Sequence, residues 1–437
     1  MFEEGLKYIE ENKQYFINIS DYIWEKAETA LNEHTSSSLL IEEFTKHGFK
    51  IEKNIAGMPT AFRAVWGKGK PTIAFLGEYD ALPNLGQKKV PYKKSTKDNT
   101  NGHGCGHNLL GTASFAAAIA LKNIIEEKKI NGSIVYFGCP AEETMTGKIF
   151  MVREKCFKDI DVALTWHPSS FNSVFEDSFM AMSSVKFNFY GKTSHAAFAP
   201  FMGRSALDAV ELMNVGVNYL REHVIPEARI HYTITHGGDK PNIVPDYAQV
   251  WYFIRAPKRY QVNEIYKRVE KIAKGAALMT ETEVRPEILS GCYELLNNKT
   301  LEKLLYKCMK NIKQPIWDEK DIAFAKEINK SFLPYQKTNQ IEAFGSSSLE
   351  NEYLHDSIFP IKEISKSVPA SSDVSDVSQV VPVGQFGTCC YPIGATGHTW
   401  QITASSGMSI GHKGMLYAAK ILGAAGLELI LNQYLLN

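Results

Sequence analysis

The chain has 437 residues, of which 44% are hydrophobic and 22% are charged, and this composition is typical of a soluble globular protein with two or three domains. Lysine plus arginine and aspartate plus glutamate number 48 each, so the formal net charge is zero. A neutral balance gives no general attraction to nucleic acid or to an anionic membrane, and neither is expected as a partner.

The first residues and the cysteines predict a cytoplasmic location. The N-terminal segment is acidic and lacks the basic-then-apolar order of a signal peptide. The stretch nearest to a membrane span, residues 415–436, is interrupted by Lys420 and Glu428 and is expected to be a packed terminal helix. The seven cysteines are odd in number and include no Cys-x-x-Cys pair, which indicates reduced thiols rather than a disulfide framework.

The first part of the chain has the pattern of an α/β domain. Residues 2–48 carry apolar residues at helical spacing. Short apolar runs at residues 72–76, 133–137 and 162–166 then predict buried strands, separated by helical stretches such as residues 109–128. This alternation predicts a mostly parallel sheet with helices on both faces, which places ligands beyond the carboxyl ends of its strands.

A different order of elements begins near residue 181. The pattern predicts a strand at 183–190, a helix at 204–222, strands at 229–236 and 249–255, a helix at 260–277 and a strand at 281–290. This βαββαβ order matches a ferredoxin-like sandwich. We therefore expect a discontinuous catalytic domain of residues 1–181 and 293–437 with an inserted α+β domain of residues 182–292. Residues 314–373 are polar and irregular and receive no assignment, and the chain from about residue 411 is expected to be helical.

Four polar clusters follow predicted strands or begin a helix, at residues 77–83, 101–108, 138–143 and 166–168. Because parallel strands end at one edge of a sheet, we expect the four clusters to meet there. Together they supply carboxylates, a thiolate and imidazoles, a ligand set suited to zinc or manganese.

Spacing within the clusters favours hydrolytic chemistry. Cys105 and His107 are one residue apart in a Gly-rich loop, so an extended path would project both side chains to the same side. Glu142 and Glu143 are adjacent, so in a non-helical turn they point apart. One carboxylate can then bind a metal while the other reaches a water held by it, as in hydrolytic metalloenzymes.

Two other function classes remain open at this point. Glycines 102, 104 and 106 before a helix could form a nucleotide-binding loop of an oxidoreductase, although the loop follows a Lys-rich segment rather than a strand. A catalytically silent metal-binding or interaction protein is the other alternative. In that interpretation the adjacent glutamates are a solvated pair and Asp80 is only a turn residue.

Five motifs together resemble the M20 metallopeptidases, and within them the amidohydrolase branch: Glu78-Tyr-Asp-Ala-Leu-Pro, Gly104-Cys-Gly-His, Pro140-Ala-Glu-Glu, His167-Pro and Gly191-Lys-Thr-Ser-His-Ala. The resemblance covers nearly the whole chain. It implies hydrolysis of the amide bond of an N-acyl or aminoacyl amino acid, such as a p-aminobenzoyl-glutamate-like compound or a dipeptide, with one or two zinc or manganese ions per chain. It also implies a homodimer formed through the inserted domain, which would serve as a lid.

The resemblance also implies roles for individual residues. Glu142 would be the general base, and the metal ligands would be Cys105, His107, Glu143, His167 and His398, with Cys105 bridging two ions. His412 is the alternative to His398 as the last ligand, but His398 lies in a Gly-rich loop before the terminal helix. Asp80 is expected to orient His107.

The sequence departs from the family pattern at two positions. Glu78-Tyr-Asp80 stands where many members have His-x-Asp, and Asn108 stands where the amidohydrolase branch usually has aspartate. Both differences change the surroundings of the expected metal ligands.

Three further candidates lie in the inserted domain. By resemblance, His195 would reach the active site of the partner subunit and stabilise the oxyanion. Asn242 and Arg255 are expected on either side of the turn of the predicted strand pair, where an arginine at a strand end with an asparagine beside it suits a substrate carboxylate. The alternative for this pair is a turn asparagine and a surface arginine.

Overall fold

The computed structural model describes residues 3–97, 100–344, 347–362 and 365–436. Its α-helices are α1 (Glu3–Glu11), α2 (Lys13–Lys26), α3 (His34–Lys46), α4 (His107–Lys128), α5 (Gly147–Arg153), α6 (Ala206–Leu220), α7 (Arg259–Thr280), α8 (Lys299–Asn311), α9 (Glu319–Asn329), α10 (Gln336–Phe344), α11 (Val374–Ser378), α12 (Trp400–Ser406) and α13 (Ser409–Leu431). Its strands are β1 (Lys50–Lys53), β2 (Phe62–Lys68), β3 (Thr72–Glu78), β4 (Gly132–Cys139), β5 (Val162–Ser169), β6 (Ser173–Val174), β7 (Ser178–Phe179), β8 (Ala181–Tyr190), β9 (Arg229–His236), β10 (Tyr247–Ala256), β11 (Glu283–Cys292), β12 (Ser367–Val368) and β13 (Val383–Cys389).

The chain divides into two compact units. The first unit comprises Met1–Glu176, Asn297–Ser365 and Val377–Asn437, and the second comprises Asp177–Leu296 and Lys366–Asp376. The second unit thus extends beyond the predicted inserted domain of residues 182–292 at both ends, and it also takes in a short segment that is distant in sequence.

The first unit is built on a seven-stranded sheet with the order β1-β2-β4-β3-β5-β13-β6. Its four central strands, β4, β3, β5 and β13, are parallel, and the three outer strands are antiparallel to their neighbours. Every residue of β3, β4 and β13 is buried, so the sheet is covered on both faces. This arrangement confirms the predicted mostly parallel α/β domain.

Two long apolar helices pack in the core of the first unit. Helices α4 and α13 contact each other and the central strands, and both are Ala-rich on their packed faces. By length and composition both could cross a membrane, and 89% and 83% of their most apolar windows are buried, as in the core helices of many proteins. From the sequence, only the terminal helix was compared with a membrane span, whereas α4 has a similar length and apolar character.

The second unit contains a four-stranded antiparallel sheet with the order β11-β8-β10-β9. Its elements follow one another as β8, α6, β9, β10, α7, β11, which confirms the βαββαβ prediction. Alternate residues of β10 are buried, and Val250, Tyr252 and Ile254 belong to the core that also contains residues of α6 and α7. The side chains between them, including Trp251 and Arg255, point to the other face of the sheet.

The region that received no assignment contains regular structure. Helices α9 and α10 lie within residues 314–373, and β13 follows them. Helix α9 was not predicted because most of its residues are polar and its apolar stripe is short. Phe324 and Ile328 belong to this stripe and are buried. Strand β13 is buried throughout, but it contains Gln385, Thr388 and two glycines, so its sequence lacks the apolar run by which the other central strands were predicted.

Candidate metal centre

The predicted site residues of the first unit lie at the carboxyl ends of its parallel strands. Asp80 follows β3, Glu142 and Glu143 follow β4, and His167 lies near the end of β5. The loop after β13 carries His398, whose backbone N–H donates to the carbonyl of Gly104 at 2.8 Å. The unpredicted strand β13 is therefore what brings the C-terminal histidine to the same edge.

Cys105 and His107 reach the same site by a turn rather than by the extended path that was expected. Gly106 has φ 79° and immediately precedes α4, and a Cβ atom at this position would collide with the hydroxyl of Tyr391. That hydroxyl donates to the carbonyl of Cys105 at 3.0 Å. The expectation that both side chains face one site is met, but the reason is the left-handed glycine between them.

His107 is held on its Nδ1 side by Asp80. The Nδ1 atom lies 2.9 Å from Asp80 Oδ1, and Asp80 Oδ2 accepts the backbone N–H of Glu143 at 2.9 Å. The Nε2 atom of His107 points the other way, 3.2 Å from Glu78 Oε2 and 4.0 Å from Glu142 Oε2. Asp80 therefore contacts both the imidazole and the glutamate loop, and its role in orienting His107 stays a prediction.

Three overlapping sets of side chains are spaced to hold a metal ion. They are Cys105 with His107 and His167, Cys105 with Glu143 and His398, and Glu78 with His107 and Glu142, and in each set the ligand atoms lie within 4.8 Å of one another. The first two sets share Cys105, so the same thiolate would contribute to both if each held an ion. Thiolate, imidazole and carboxylate donors of this kind suit zinc or manganese.

Two buried atoms in these sets support the fit to a metal. His107 Nε2 and Glu143 Oε1 are buried and make no hydrogen bond among the described residues, although Glu78 Oε2 lies 3.2 Å from His107 Nε2. Buried polar atoms are otherwise almost always paired, because losing their hydration is costly. Both side chains belong to the sets just described, so a divalent cation bound there could satisfy these atoms.

Neighbouring charges favour the thiolate form of Cys105, which is the form that binds a metal ion. Burial and the charge of Glu143 raise the pKa of the Cys105 thiol, but His167 and His107 outweigh them, and the pKa falls to about 6. Interactions with Cys105 and Glu143 raise the pKa of His398 to about 10. Without a metal, the site is therefore a network of thiolate, carboxylates and imidazolium groups.

Glu142 and Glu143 point in different directions, as predicted. Glu142 lies on the side of His107 and Glu78, whereas Glu143 Oε2 lies 3.2 Å from His398 Nε2. The alternative ligand His412 is elsewhere, with its Nε2 3.0 Å from Asp21 Oδ1. The geometry thus favours His398 over His412 as the last ligand.

One buried ion pair at the site was not predicted. Lys148 Nζ lies 2.6 Å from Glu78 Oε1, and both side chains are almost completely buried. Burial alone would raise the pKa of Glu78, but Lys148 and the nearby histidines hold it below its usual value. A signal was available, because Lys148 lies in the first turn of a short apolar helix, in which a buried lysine requires a partner.

His195 lies on an exposed loop of the second unit with a defined ring orientation. Its Nδ1 accepts the backbone N–H groups of Ala197 at 3.3 Å and Phe198 at 3.0 Å. A neutral imidazole that accepts at Nδ1 carries its proton at Nε2. His195 therefore presents an N–H donor, the polarity that an oxyanion requires.

Asn242 and Arg255 do not lie side by side in one chain, so this part of the expectation is wrong. The carbonyl of Asn242 accepts the backbone N–H of Ala196 at 3.0 Å, which places Asn242 next to His195 and before β10. Arg255 lies at the opposite end of β10, because the strand runs from Tyr247 to Ala256. The prediction failed because Asn242 lies in the loop that leads into β10, whereas Arg255 lies near the far end of that strand. The length of β10 therefore separates the two residues.

Arg255 nevertheless has the character of an anion-binding group. Its guanidinium lies 5.8 Å from the ring of Phe253, and its Nε is buried without a hydrogen-bond partner among the described residues. Burial lowers the pKa of Arg255, although Cys292 partly opposes the effect. A buried guanidinium donor without an acceptor is expected to bind a carboxylate.

Comparisons with known proteins identify relatives of this chain. The M20 peptidase dimerisation domain matches residues 181–280. A p-aminobenzoyl-glutamate hydrolase subunit of Escherichia coli (strain K12) is 43% identical over 98% of this chain and 92% of its own length. The Xaa-Arg dipeptidase of Mus musculus is 34% identical over 65% of each chain. The crystal structure of a dinuclear metal-binding M20 peptidase from Bacillus subtilis has a TM-score of 0.60 and 14% identity, covering 96% of this chain and 99% of the other.

Proposed function

The chain belongs to the M20 family of hydrolases, and from this premise we propose that it hydrolyses the amide bond of an N-acyl or aminoacyl amino acid. The observation that carries the proposal is the pair of ligand sets sharing Cys105, with Glu142 placed beside them. The relatives named for p-aminobenzoyl-glutamate and for Xaa-Arg dipeptides support a substrate with an amide bond and a carboxylate. A p-aminobenzoyl-glutamate-like compound is the first candidate.

The proposed metal ligands are Cys105, His107, Glu143, His167 and His398. A divalent ion held there, zinc or manganese, would polarise the scissile carbonyl and lower the pKa of water. Asp80 would keep His107 in the orientation that leaves Nε2 as the ligand atom, because it occupies the Nδ1 side.

Glu142 would act as the general base. Its carboxylate lies on the same side of the site as His107 Nε2 but is not needed to complete either set that contains Cys105. It would accept a proton from the attacking water and return it to the nitrogen of the leaving amine. Positioned proton transfer of this kind contributes roughly 10²–10⁴-fold to rate.

His195 and Asn242 would act together, because their loops are hydrogen-bonded to each other. The exposed Nε2–H of His195 would donate to the oxyanion in the active site of the partner subunit. Arg255, at the other end of β10, would bind the substrate carboxylate. The proposal therefore includes a homodimer through the second unit, in keeping with its match to a dimerisation domain, and the cytoplasm as its location.

The experiment that tests this function combines metal analysis with a substrate screen. Purified protein would be analysed for zinc and manganese, then assayed with p-aminobenzoyl-glutamate, N-acyl amino acids and dipeptides before and after chelation. We expect roughly one or two divalent ions per chain and turnover that chelation abolishes and added metal restores. Full activity in metal-free protein would refute the proposal, and so would bound metal without turnover on any member of the panel.

A further inference from the structure

A second carboxylate reaches the glutamate loop from the N-terminal part of the chain. Glu33 lies just before α3 and has no exposed surface. Its Oε1 accepts the backbone N–H groups of Leu31 at 3.0 Å and Ala141 at 2.9 Å. Its Oε2 accepts the hydroxyl of Thr60 at 2.7 Å. One buried side chain thus links the loop before α3 to the residue that precedes Glu142.

Ala141 needs such a link, because its backbone is in the left-handed region. Its φ is 58°, a conformation that residues with a Cβ atom rarely adopt. The next residue, Glu142, accepts the N–H of Met145 at 2.8 Å through its carbonyl. The conformation at Ala141 therefore sets the direction in which the chain enters the turn that carries Glu142 and Glu143.

The surroundings of Glu33 make a purely structural role costly. The three groups that donate to its carboxylate are neutral, and burial together with the charge of Asp80 raises the pKa of Glu33 to about 7. Burying a carboxylate among neutral groups is unfavourable compared with an uncharged acceptor. The hydrogen bond to Ala141 offers a functional reason for a carboxylate at this position.

We propose that Glu33 is a positioning residue, which holds Ala141 in the left-handed conformation and thereby directs the Glu142 carboxylate toward the reacting water. The proposal rests on the proposed function in so far as Glu142 is the base. The hydrogen bonds of the Glu33 carboxylate are made with Leu31, Thr60 and Ala141, none of which belongs to the ligand sets.

The test compares Glu33→Met, Glu33→Gln and a matched control, Glu28→Met. Glutamine keeps an Oε1 that accepts from Ala141, and its amide can donate to the Thr60 hydroxyl, whereas methionine accepts nothing. Glu28 is the control because its carboxylate also accepts backbone N–H groups near α3, from Thr35 and Ser36 at 2.8 Å, but makes no such link to the glutamate loop. All variants are assayed for kcat, KM, bound metal and thermal stability.

We expect Glu33→Met to lower kcat roughly 10- to 100-fold, because a small displacement of a catalytic group is costly in rate. Its KM and metal content should stay within about twofold of wild type, and Glu33→Gln should recover most of the lost kcat. Glu28→Met should leave kcat unchanged. An unchanged kcat in Glu33→Met, a parallel loss of metal, or a glutamine variant as slow as the methionine variant would each overturn the proposal.

Hydrogen–deuterium exchange provides a measurement that does not depend on turnover. Residues 138–146 should exchange faster in Glu33→Met than in wild type, while Glu33→Gln and Glu28→Met should match wild type in this segment. Unchanged exchange in Glu33→Met would contradict the role of the hydrogen bond. If wild type has no activity, the proposed function fails, but this comparison still decides the role of Glu33. If Glu33→Met does not fold, Glu33→Asp, whose carboxylate is one methylene shorter, takes its place in both measurements.

Discussion

Lys148 and Glu78 form an ion pair at the edge of the candidate metal centre, with 2.6 Å between Nζ and Oε1 and almost no exposure of either side chain. The other carboxylate oxygen of Glu78 lies 3.2 Å from His107 Nε2. The ammonium group thus compensates one of several carboxylates that converge on the same imidazole. This arrangement accompanies the glutamate that stands in place of the more common histidine of the family pattern.

Removal of this ammonium group should destabilise the protein. Lys148→Met leaves the Glu78 carboxylate buried without its closest cation, which typically costs about 3–5 kcal/mol of unfolding free energy. Urea unfolding of metal-free protein measures the loss. The double variant Lys148→Met/Glu78→Gln should recover much of it, because the buried charge is then gone.

The control for this prediction is an ion pair on the surface. Lys13 Nζ lies 2.8 Å from Glu10 Oε1, and both side chains are about half exposed. Lys13→Met should therefore cost less than about 1 kcal/mol. An equal loss of unfolding free energy in the two lysine variants would show that the buried pair stabilises the protein no more than the surface pair does.

The parts of the site that could be predicted from the sequence are those that directly follow a recognisable strand. Motifs after strands β3, β4 and β5 could be placed at one edge, since parallel strands with buried residues on both faces are recognisable in the sequence. Contacts between segments distant in sequence could not be found this way. Lys148 with Glu78 and Glu33 with Ala141 depend on how loops pack, and no periodicity records such packing.

The separate roles of the adjacent glutamates can be tested with two isosteric variants. Glu142→Gln cannot accept a proton, so turnover should fall roughly 10²–10⁴-fold while metal content stays near wild type. Glu143→Gln should instead lower metal content, because its carboxylate belongs to the set with Cys105 and His398. Metal analysis and kcat are measured on the same preparations. Equal metal loss in both variants would show that the assignment within the pair is wrong.

Metal binding should release protons. Hydrogen bonds with Cys105 and Glu143 raise the pKa of His398 to about 10, so the metal-free imidazole is protonated at neutral pH and must lose this proton to bind. Affinity for zinc should therefore rise as pH increases from about 6 toward 9. Calorimetric titration at pH 7.5 in two buffers of different ionisation enthalpy measures the protons released.

A matched pair of histidine variants identifies the source of these protons. His398→Ala should reduce the release by about one proton per chain and weaken binding. His412→Ala should change neither, because that imidazole contacts Asp21 outside the ligand sets. The reverse result would make His412 the ligand.

The action of His195 in the partner subunit can be tested by mixing two inactive proteins. In a dimer of one His195→Ala chain and one Glu142→Gln chain, one of the two sites has both groups intact. Random exchange of equal amounts should therefore restore about one quarter of wild-type activity. Differently tagged chains that co-purify would verify the exchange. If exchange occurs without activity, His195 serves its own chain or only the fold.

Arg255 should recognise the carboxylate of the substrate. The zero net charge of the chain provides no long-range attraction, so an anionic substrate must be bound by local donors. Arg255 offers a planar fork for both carboxylate oxygens, and its buried Nε has no partner among the described residues. Arg255→Ala should therefore lower kcat/KM, mainly by raising KM. The loss should correspond to about 2–4 kcal/mol of transition-state stabilisation, as expected when a buried charge-assisted pair is lost.

Two controls separate carboxylate binding from a structural effect. Arg229 pairs with Arg255 in the register of β9 and β10, but its guanidinium donates to the carbonyls of Pro226 and Ala228, so Arg229→Ala should retain kcat/KM. A substrate whose carboxylate is replaced by a neutral amide should already be poor for wild type, because it lacks the charge that the guanidinium pairs with. Arg255→Ala should then cost little further on that amide. If the variant loses equally on both substrates, Arg255 supports the second unit and does not bind the carboxylate.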